Sequence, residues 1–239
     1  MIHLNLYGCS FTKNIVRFNA SSNYINELSN EILVKNYGKD SNSNLKILNS
    51  FTEKLKPNST SVIQWSSLTR PNESNFGVFS ASENPLWDLL DEWYGYIDET
   101  IKLASDNNIK LIQYIGWAQW KDSELNEYHR TKLRSYDFEW FESIEQYDAI
   151  RANCFQFQPN LSDWSSHEED GLWKWASIEW GGMAEWIRSN IEMNSRYIGY
   201  EHFAPTKHFD SHPSEYATTQ FLKDFLIPKV KTLNEQNFI

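Results

Sequence analysis

A serine near one end of this chain and a histidine beside an aspartate near the other are the residues whose types could do chemistry together. Ser10 stands in "YGCSFT", residues 7–12, and Asp210 and His212 stand in "HFDSHPS", residues 208–214. A serine hydroxyl is a weak nucleophile until an imidazole takes its proton, and an acid fixes the tautomer of that imidazole. Read alone, Ser10 has a second use, since serine after a strand readily caps the following helix. The pairing with "DSHPS" favours the nucleophile. Cys9, next door, reads as a small buried residue rather than a rival nucleophile. His208, Asp210 and His212 alternate, so an extended segment would turn all three one way as a partial metal site. No further His or Cys cluster completes it, and no metal or cofactor is expected.

These residues need elements that carry them to one place. Ile2, Leu4 and Leu6 form a short apolar run ending at Gly8, which reads as a first strand and a sharp turn. "NYINELSN" follows as a helix, "EILVKNYG" as a second strand ending at Gly38, and "SNSNLKILNSFTEKL" as a capped helix. "TSVIQWSS" is a third strand and "IKLIQYIGW" a fourth. Between them, residues 84–108 carry Leu86, Leu89, Leu90, Trp93, Ile97, Ile101 and Leu103 at helical spacing. "SRYIGY" reads as a fifth strand, with a last helix packing through Tyr216, Phe221, Phe225 and Leu226. Alternating strands and helices predict one domain over residues 1–239, a three-layer α/β/α sandwich on a parallel sheet of about five strands. Ligands of such sheets bind outside the carboxyl ends of the strands, the rim at which Ser10 and His212 would meet.

Residues 117–194 break the alternation. They hold eight of the eleven tryptophans and read as a helical insertion forming one wall of a cleft. Trp173 and Trp180 suit a helix-face core, whereas Trp117, Trp120 and Trp175 suit a cleft, where flat rings offer platforms to sugar faces. Trp65, ending the third strand, and Arg70, just beyond it and able to hold an anionic group, complete the candidate substrate contacts.

The chain has 239 residues, 40% hydrophobic and 23% charged, as in a folded globular protein. Its net charge of −10 repels phosphate backbones, so nucleic acid is not an expected partner. Two cysteines make no disulfide framework, and several Asn-x-Ser/Thr sequons in an Asn-rich chain read as chance. No apolar run reaches membrane-spanning length and no signal peptide is read at the N-terminus, so a cytoplasmic protein is expected, with a composition suggestive of phage origin. The oligomeric state stays open.

At its key residues the chain resembles the SGNH (GDSL-type) hydrolase family. "YGCSFT" is similar to the nucleophile block, with Cys9 where the family has aspartate. Gly38 matches the glycine whose amide serves the oxyanion, and "DSHPS" resembles the block carrying the acid and histidine. The resemblance spans roughly residues 1–115 and 196–231 and implies a flavodoxin-like sandwich that hydrolyses or transfers acyl groups, often acetyl groups on carbohydrates. It implies Ser10 as nucleophile, His212 as base, Asp210 as acid, and the amides of Ser10 and Gly38 as oxyanion donors. Two departures stand out. The family's acid position, three before the histidine, is Phe209 here. The asparagine that completes the family's oxyanion hole aligns with Leu68, leaving the Ser66 hydroxyl as the expected substitute and Arg70 as the runner-up. An SGNH acyltransferase, or a carbohydrate-binding protein that has kept the fold without catalysis, are the alternative readings.

Overall fold

The computed structural model describes residues 1–9, 12–13, 31–40, 42–66, 68, 86–116, 120, 124–141, 180–190 and 215–235. Four parallel strands form one sheet: β1 (Ile2–Tyr7), β2 (Ile32–Asn36), β3 (Thr60–Trp65) and β4 (Lys110–Ile115), in the order β2-β1-β3-β4. Leu4 of β1 lies level with Val34 on one side and Thr60 on the other, and Trp65 lies level with Ile115. All six residues of β3 are buried, as befits a central strand of a parallel sheet covered on both faces.

Helices supply the two outer layers. α1 (Asn44–Lys54) starts at Ser43, whose hydroxyl accepts from the Lys46 amide, and buries Ile47, Leu48 and Phe51. α2 (Leu86–Asp106) buries Leu90, Trp93, Tyr94, Ile97 and Ala104, the three-and-four spacing expected of one apolar stripe. Together with Tyr7, Ile63 and Trp65 these side chains form the core on one face of the sheet. The other face pairs Leu4, Leu6, Val62, Ile112 and Tyr114 with α4 (Met183–Asn190) and the C-terminal segment. The fold is thus a three-layer α/β/α sandwich, as expected.

The C-terminal segment is less regular than its sequence suggests. α5 (Glu215–Gln220) passes through a π-helical turn (Phe221–Leu226) into α6 (Ile227–Glu235). The wider turn sets Phe221, Leu222 and Leu226 inward, with the Phe221 ring 5.4 Å from Tyr114 and 5.2 Å from Trp186. Among the described residues the sheet has four strands, and the expected fifth, at 195–200, lies outside them, as does the helix expected at 23–30. One further contact extends the sheet. After α3 (Glu127–Arg134) the chain returns alongside β4, where Phe138 bridges Gln113 in parallel and the Glu139 amide donates to the Gln113 carbonyl at 2.9 Å. Part of the segment read as a helical insertion therefore continues the sheet. Trp120, Phe138, Trp140 and Trp180 pack ring on ring there, Trp140 lying 5.1 Å from both Phe138 and Trp180. The remainder of 117–194 lies mainly outside the described residues.

Candidate active site at the carboxyl edge of the sheet

β1 ends at Tyr7, and Gly8 turns the chain out of the sheet. A side chain at Gly8 would place its Cβ 2.1 Å from Thr12 Oγ1 and 3.0 Å from the Gln64 carbonyl oxygen, so only glycine lets the turn fold back this closely. The Lys13 amide then donates to the Cys9 carbonyl at 3.0 Å, the first helical hydrogen bond. The residue whose carbonyl accepts that bond is the N-cap. Cys9 thus holds the capping position that the sequence offered to Ser10. Ser10 itself lies outside the described residues, but Cys9 before it and Thr12 after it are described.

Polar groups grip this turn from the ends of two strands and from the loop after β2. From the end of β3, Gln64 Oε1 accepts from Cys9 Sγ at 3.2 Å and from Thr12 Oγ1 at 3.0 Å, and Gln64 Nε2 donates to the Trp65 carbonyl at 2.6 Å. From the end of β2, Asn36 Nδ2 donates to the carbonyls of Thr12 at 2.8 Å and Lys13 at 3.3 Å. Beyond β2, Asn42 Nδ2 and the Lys39 amide both donate to the Gly8 carbonyl, at 3.1 and 3.2 Å. The Lys13 ammonium pairs with the Asp40 carboxylate on the outside. Asn44 holds the exit of β3 in the same way, accepting from the Ser66 amide at 2.8 Å and donating to its carbonyl at 3.4 Å. Cys9, Gln64 and Ser66 have no exposed surface, and Thr12 has 1%.

The described C-terminal segment begins just after the second motif. Ala217 and Thr218 of α5 are fully buried, and Ala217 belongs to the same buried cluster as Cys9 and Tyr114. Burial holds the Tyr114 phenol well above the usual tyrosine range, with the neighbouring Cys9 adding to the effect. Residues near both motifs are therefore packed into one core on one face of the sheet.

Several predicted site residues have definite places. The Gly38 amide donates to Asn36 Oδ1 at 2.8 Å, so its hydrogen is already taken by the side chain that grips the turn. Ser66 is fully buried, its backbone fixed by Asn44. Trp65 is fully buried, with its indole N–H donating to Gln113 Oε1 at 3.0 Å and its ring 6.2 Å from Trp93. Trp120 is 2% exposed, its ring tilted against that of Trp93 at 5.7 Å. Neither ring offers a free face, so both pack the core rather than line a cleft. Ser10, Arg70, Trp117, His208, Asp210 and His212 lie outside the described residues. Among the described residues no group of three or more His, Cys, Asp or Glu is set to hold a metal, and no helix is long and apolar enough to cross a membrane.

The sequence reading missed Asn36, Asn42, Asn44 and Gln64. A glutamine inside the apolar run "VIQW" was the available signal, because a polar side chain in a fully buried strand must have partners. It also missed Trp87 and Tyr128, which are 48% and 58% exposed. α2 is 21 residues long and ends beside the amino edge, where the Asn58 amide donates to the Asn107 carbonyl. A helix of that length spans about 31 Å, whereas β3 with its 6 residues spans about 20 Å. The start of α2, and Trp87 with it, thus reaches past the carboxyl edge. The Trp87 indole donates to the Glu124 carbonyl at 3.1 Å, and its ring and that of Tyr128 lie 5.8 and 5.0 Å from His129.

No protein-family model matches the chain, and no curated protein does. Solved structures resemble it more distantly. A GDSL-like lipase from Bacteroides thetaiotaomicron has a TM-score of 0.46 and 14% identity, covering 96% of this chain and 88% of its own. An acetyl xylan esterase has the same score and identity, over 96% of this chain and 100% of its own. A lipase/acylhydrolase from Enterococcus faecalis has a TM-score of 0.42 and 12% identity, over 97% and 96%. These are likenesses of arrangement. The chemistry of this chain rests on its own residues.

Proposed function

We propose that the protein is a serine ester hydrolase of the SGNH type, acting on acyl esters of a carbohydrate. The observation that carries this reading is the helical turn that begins on Cys9 and is gripped on both sides of Ser10. With Cys9 in the capping position, Ser10 would come next, where a helical amide has no intrahelical partner. That amide is a donor for an oxyanion, and the helix terminus favours negative charge there.

In the proposed reaction Ser10 Oγ attacks the ester carbonyl carbon while its proton passes to His212, which Asp210 orients. The carbonyl π electrons move to oxygen, and the resulting oxyanion is held by the Ser10 amide with the Ser66 hydroxyl as second donor and Arg70 behind it. Collapse breaks the ester C–O bond, and the departing alcohol takes the proton from His212. Water, losing its proton to the same imidazole, then releases the acid and restores Ser10. The carbohydrate half of the reading rests on Trp87 and Tyr128, two exposed rings at the starts of helices on the rim where Ser10 would act. Aromatic faces of this kind combine apolar area with a polar edge, which suits a sugar ring.

The test is reaction with a fluorophosphonate probe followed by mapping of the modified residue. Modification of Ser10, abolished by Ser10→Ala, is the expected result, and an unreactive protein overturns the mechanism. One observation favours a second reading. The Gly38 amide is taken by Asn36, which removes one expected oxyanion donor and suits a carbohydrate-binding protein without catalysis.

A further inference from the structure

The mechanism gives no role to Gln64, a buried polar group beside the nucleophile turn. Gln64 is fully buried on the central strand, in a run whose neighbours Val62, Ile63 and Trp65 are all apolar. Burying a primary amide is unfavourable unless its hydrogen bonds are made. Both ends of this one are used. Its oxygen accepts from Cys9 Sγ and Thr12 Oγ1 at 3.2 and 3.0 Å, and its nitrogen donates to the Trp65 carbonyl at 2.6 Å. The space is fitted to it, since a Cβ on Gly116 would come within 2.6 Å of Gln64 Nε2. Cys9 and Thr12 are the residues that flank the Ser10–Phe11 pair, so one oxygen anchors the chain on both sides of the candidate nucleophile.

We propose that Gln64 is a positioning residue for Ser10: it pins the two flanks of the nucleophile turn to the central strand and so fixes where the serine hydroxyl points. This rests on the reading of Ser10 as nucleophile. A glutamine suits the task because one carbonyl oxygen can accept two hydrogen bonds while its amide nitrogen orients it. Leucine fills a similar volume and can do neither. A nucleophile displaced by an ångström loses much of its rate even where the substrate still binds. The effect should therefore fall on kcat and leave KM nearly alone.

The experiment uses the full chain with Cys154→Ser, so that Cys9 is the sole thiol. Gln64→Leu and the milder, near-isosteric Thr12→Val are compared with this parent in three measurements. These are kcat and KM on a short acyl ester, the rate of fluorophosphonate labelling of Ser10, and the rate of modification of Cys9 by a disulfide reagent. Gln64→Leu should lower kcat and labelling tenfold or more with KM within threefold, and should speed Cys9 modification at least tenfold. Thr12→Val should move all three the same way by a smaller factor, which keeps the test usable if Gln64→Leu does not fold. Faster Cys9 modification with kcat and labelling unchanged makes Gln64 merely structural and overturns the proposal. An unchanged Cys9 rate in both variants overturns the clamp itself. If the parent is not labelled at Ser10, the hydrolase reading fails and the positioning role fails with it, while the Cys9 rates still report on the clamp.

Discussion

At the carboxyl edge of the sheet, Asn36, Asn42, Asn44 and Gln64 direct their amides at the turns leaving β1 and β3. The amino edge of the same sheet is also polar but is built differently. There His3, Asn5, Lys35, Lys56, Asn58 and Ser59, with Leu33 and Pro57, line a pocket of about 240 Å³. Asn5 Nδ2 donates there to Ser59 Oγ at 3.0 Å, and Ser59 Oγ to the Lys56 carbonyl at 2.6 Å. Asn58 and Asn108 there adopt left-handed turns, with φ of 58° and 52°, and bond to each other through their exposed side chains. His3 and Lys35 are exposed, whereas Gln64 and Ser66 are fully buried. The difference is one of placement. Amides on one rim hold the turns that leave β1 and β3, and polar side chains on the other tie the starts of the strands to the loops before them.

The contrast is broken most severely at Ser10. Ser10→Ala should remove esterase activity by about 10⁴ to 10⁶-fold with the fold intact, since losing a triad nucleophile commonly costs that much. Circular dichroism and turnover of a short acyl ester check both halves, and a variant within a few-fold of the parent rules the mechanism out. Next comes the oxyanion. Ser66→Ala should lower kcat by about 10² to 10³-fold, as loss of one such donor does elsewhere. If Ser66→Ala and Arg70→Ala each stay within tenfold of the parent, neither residue is the missing donor.

Packing gives the next effect. Phe51→Ala, in the core beneath α1, should cost about 3 to 5 kcal/mol of unfolding free energy, read from urea denaturation. A loss below about 1 kcal/mol would show that the site collapses around the cavity. The amino edge should respond least. Asn5→Ala should cost about 1 kcal/mol through its lost hydrogen bond and leave kcat within twofold. A tenfold loss of kcat there would abolish the contrast between the two rims.

Alkaline pH tests the buried end directly. Burial raises the phenol pKa values of Tyr7, Tyr94, Tyr114 and Tyr136 above the ordinary value, before any smaller contributions from neighbouring charges. For groups whose folded pKa is raised, the stabilisation is complete below the unfolded value of about 10 and is lost as pH rises beyond it. Stability should therefore be flat through neutral pH and fall steadily above about pH 10, with these four tyrosines ionising only on unfolding. A spectrophotometric titration in which all the tyrosines ionise together in the folded protein would refute this.

Part of this arrangement was legible in the residues themselves. The apolar runs of β1 to β4 and the three-and-four stripe of α2 follow from local pattern, because one face of each element must be buried whatever surrounds it. The pairing of "YGCSFT" with "DSHPS" suggested chemistry by residue type alone, and Ser10, Asp210 and His212 lie outside the described residues. Tertiary structure alone decided the rest. Whether Trp65 and Trp120 would face a cleft or the core depended on what packs over β3 and β4, and the rings of Trp93 and Trp140 took that space. The edge of β4 at Gln113 went to Phe138, because strand pairing is settled by which segment reaches an open row of amides and carbonyls, not by propensity. The partners of Gln64 lie 52 and 55 residues away in the chain. A local pattern records which side chains must be buried. Which donor meets which acceptor is fixed only when distant strands come into register.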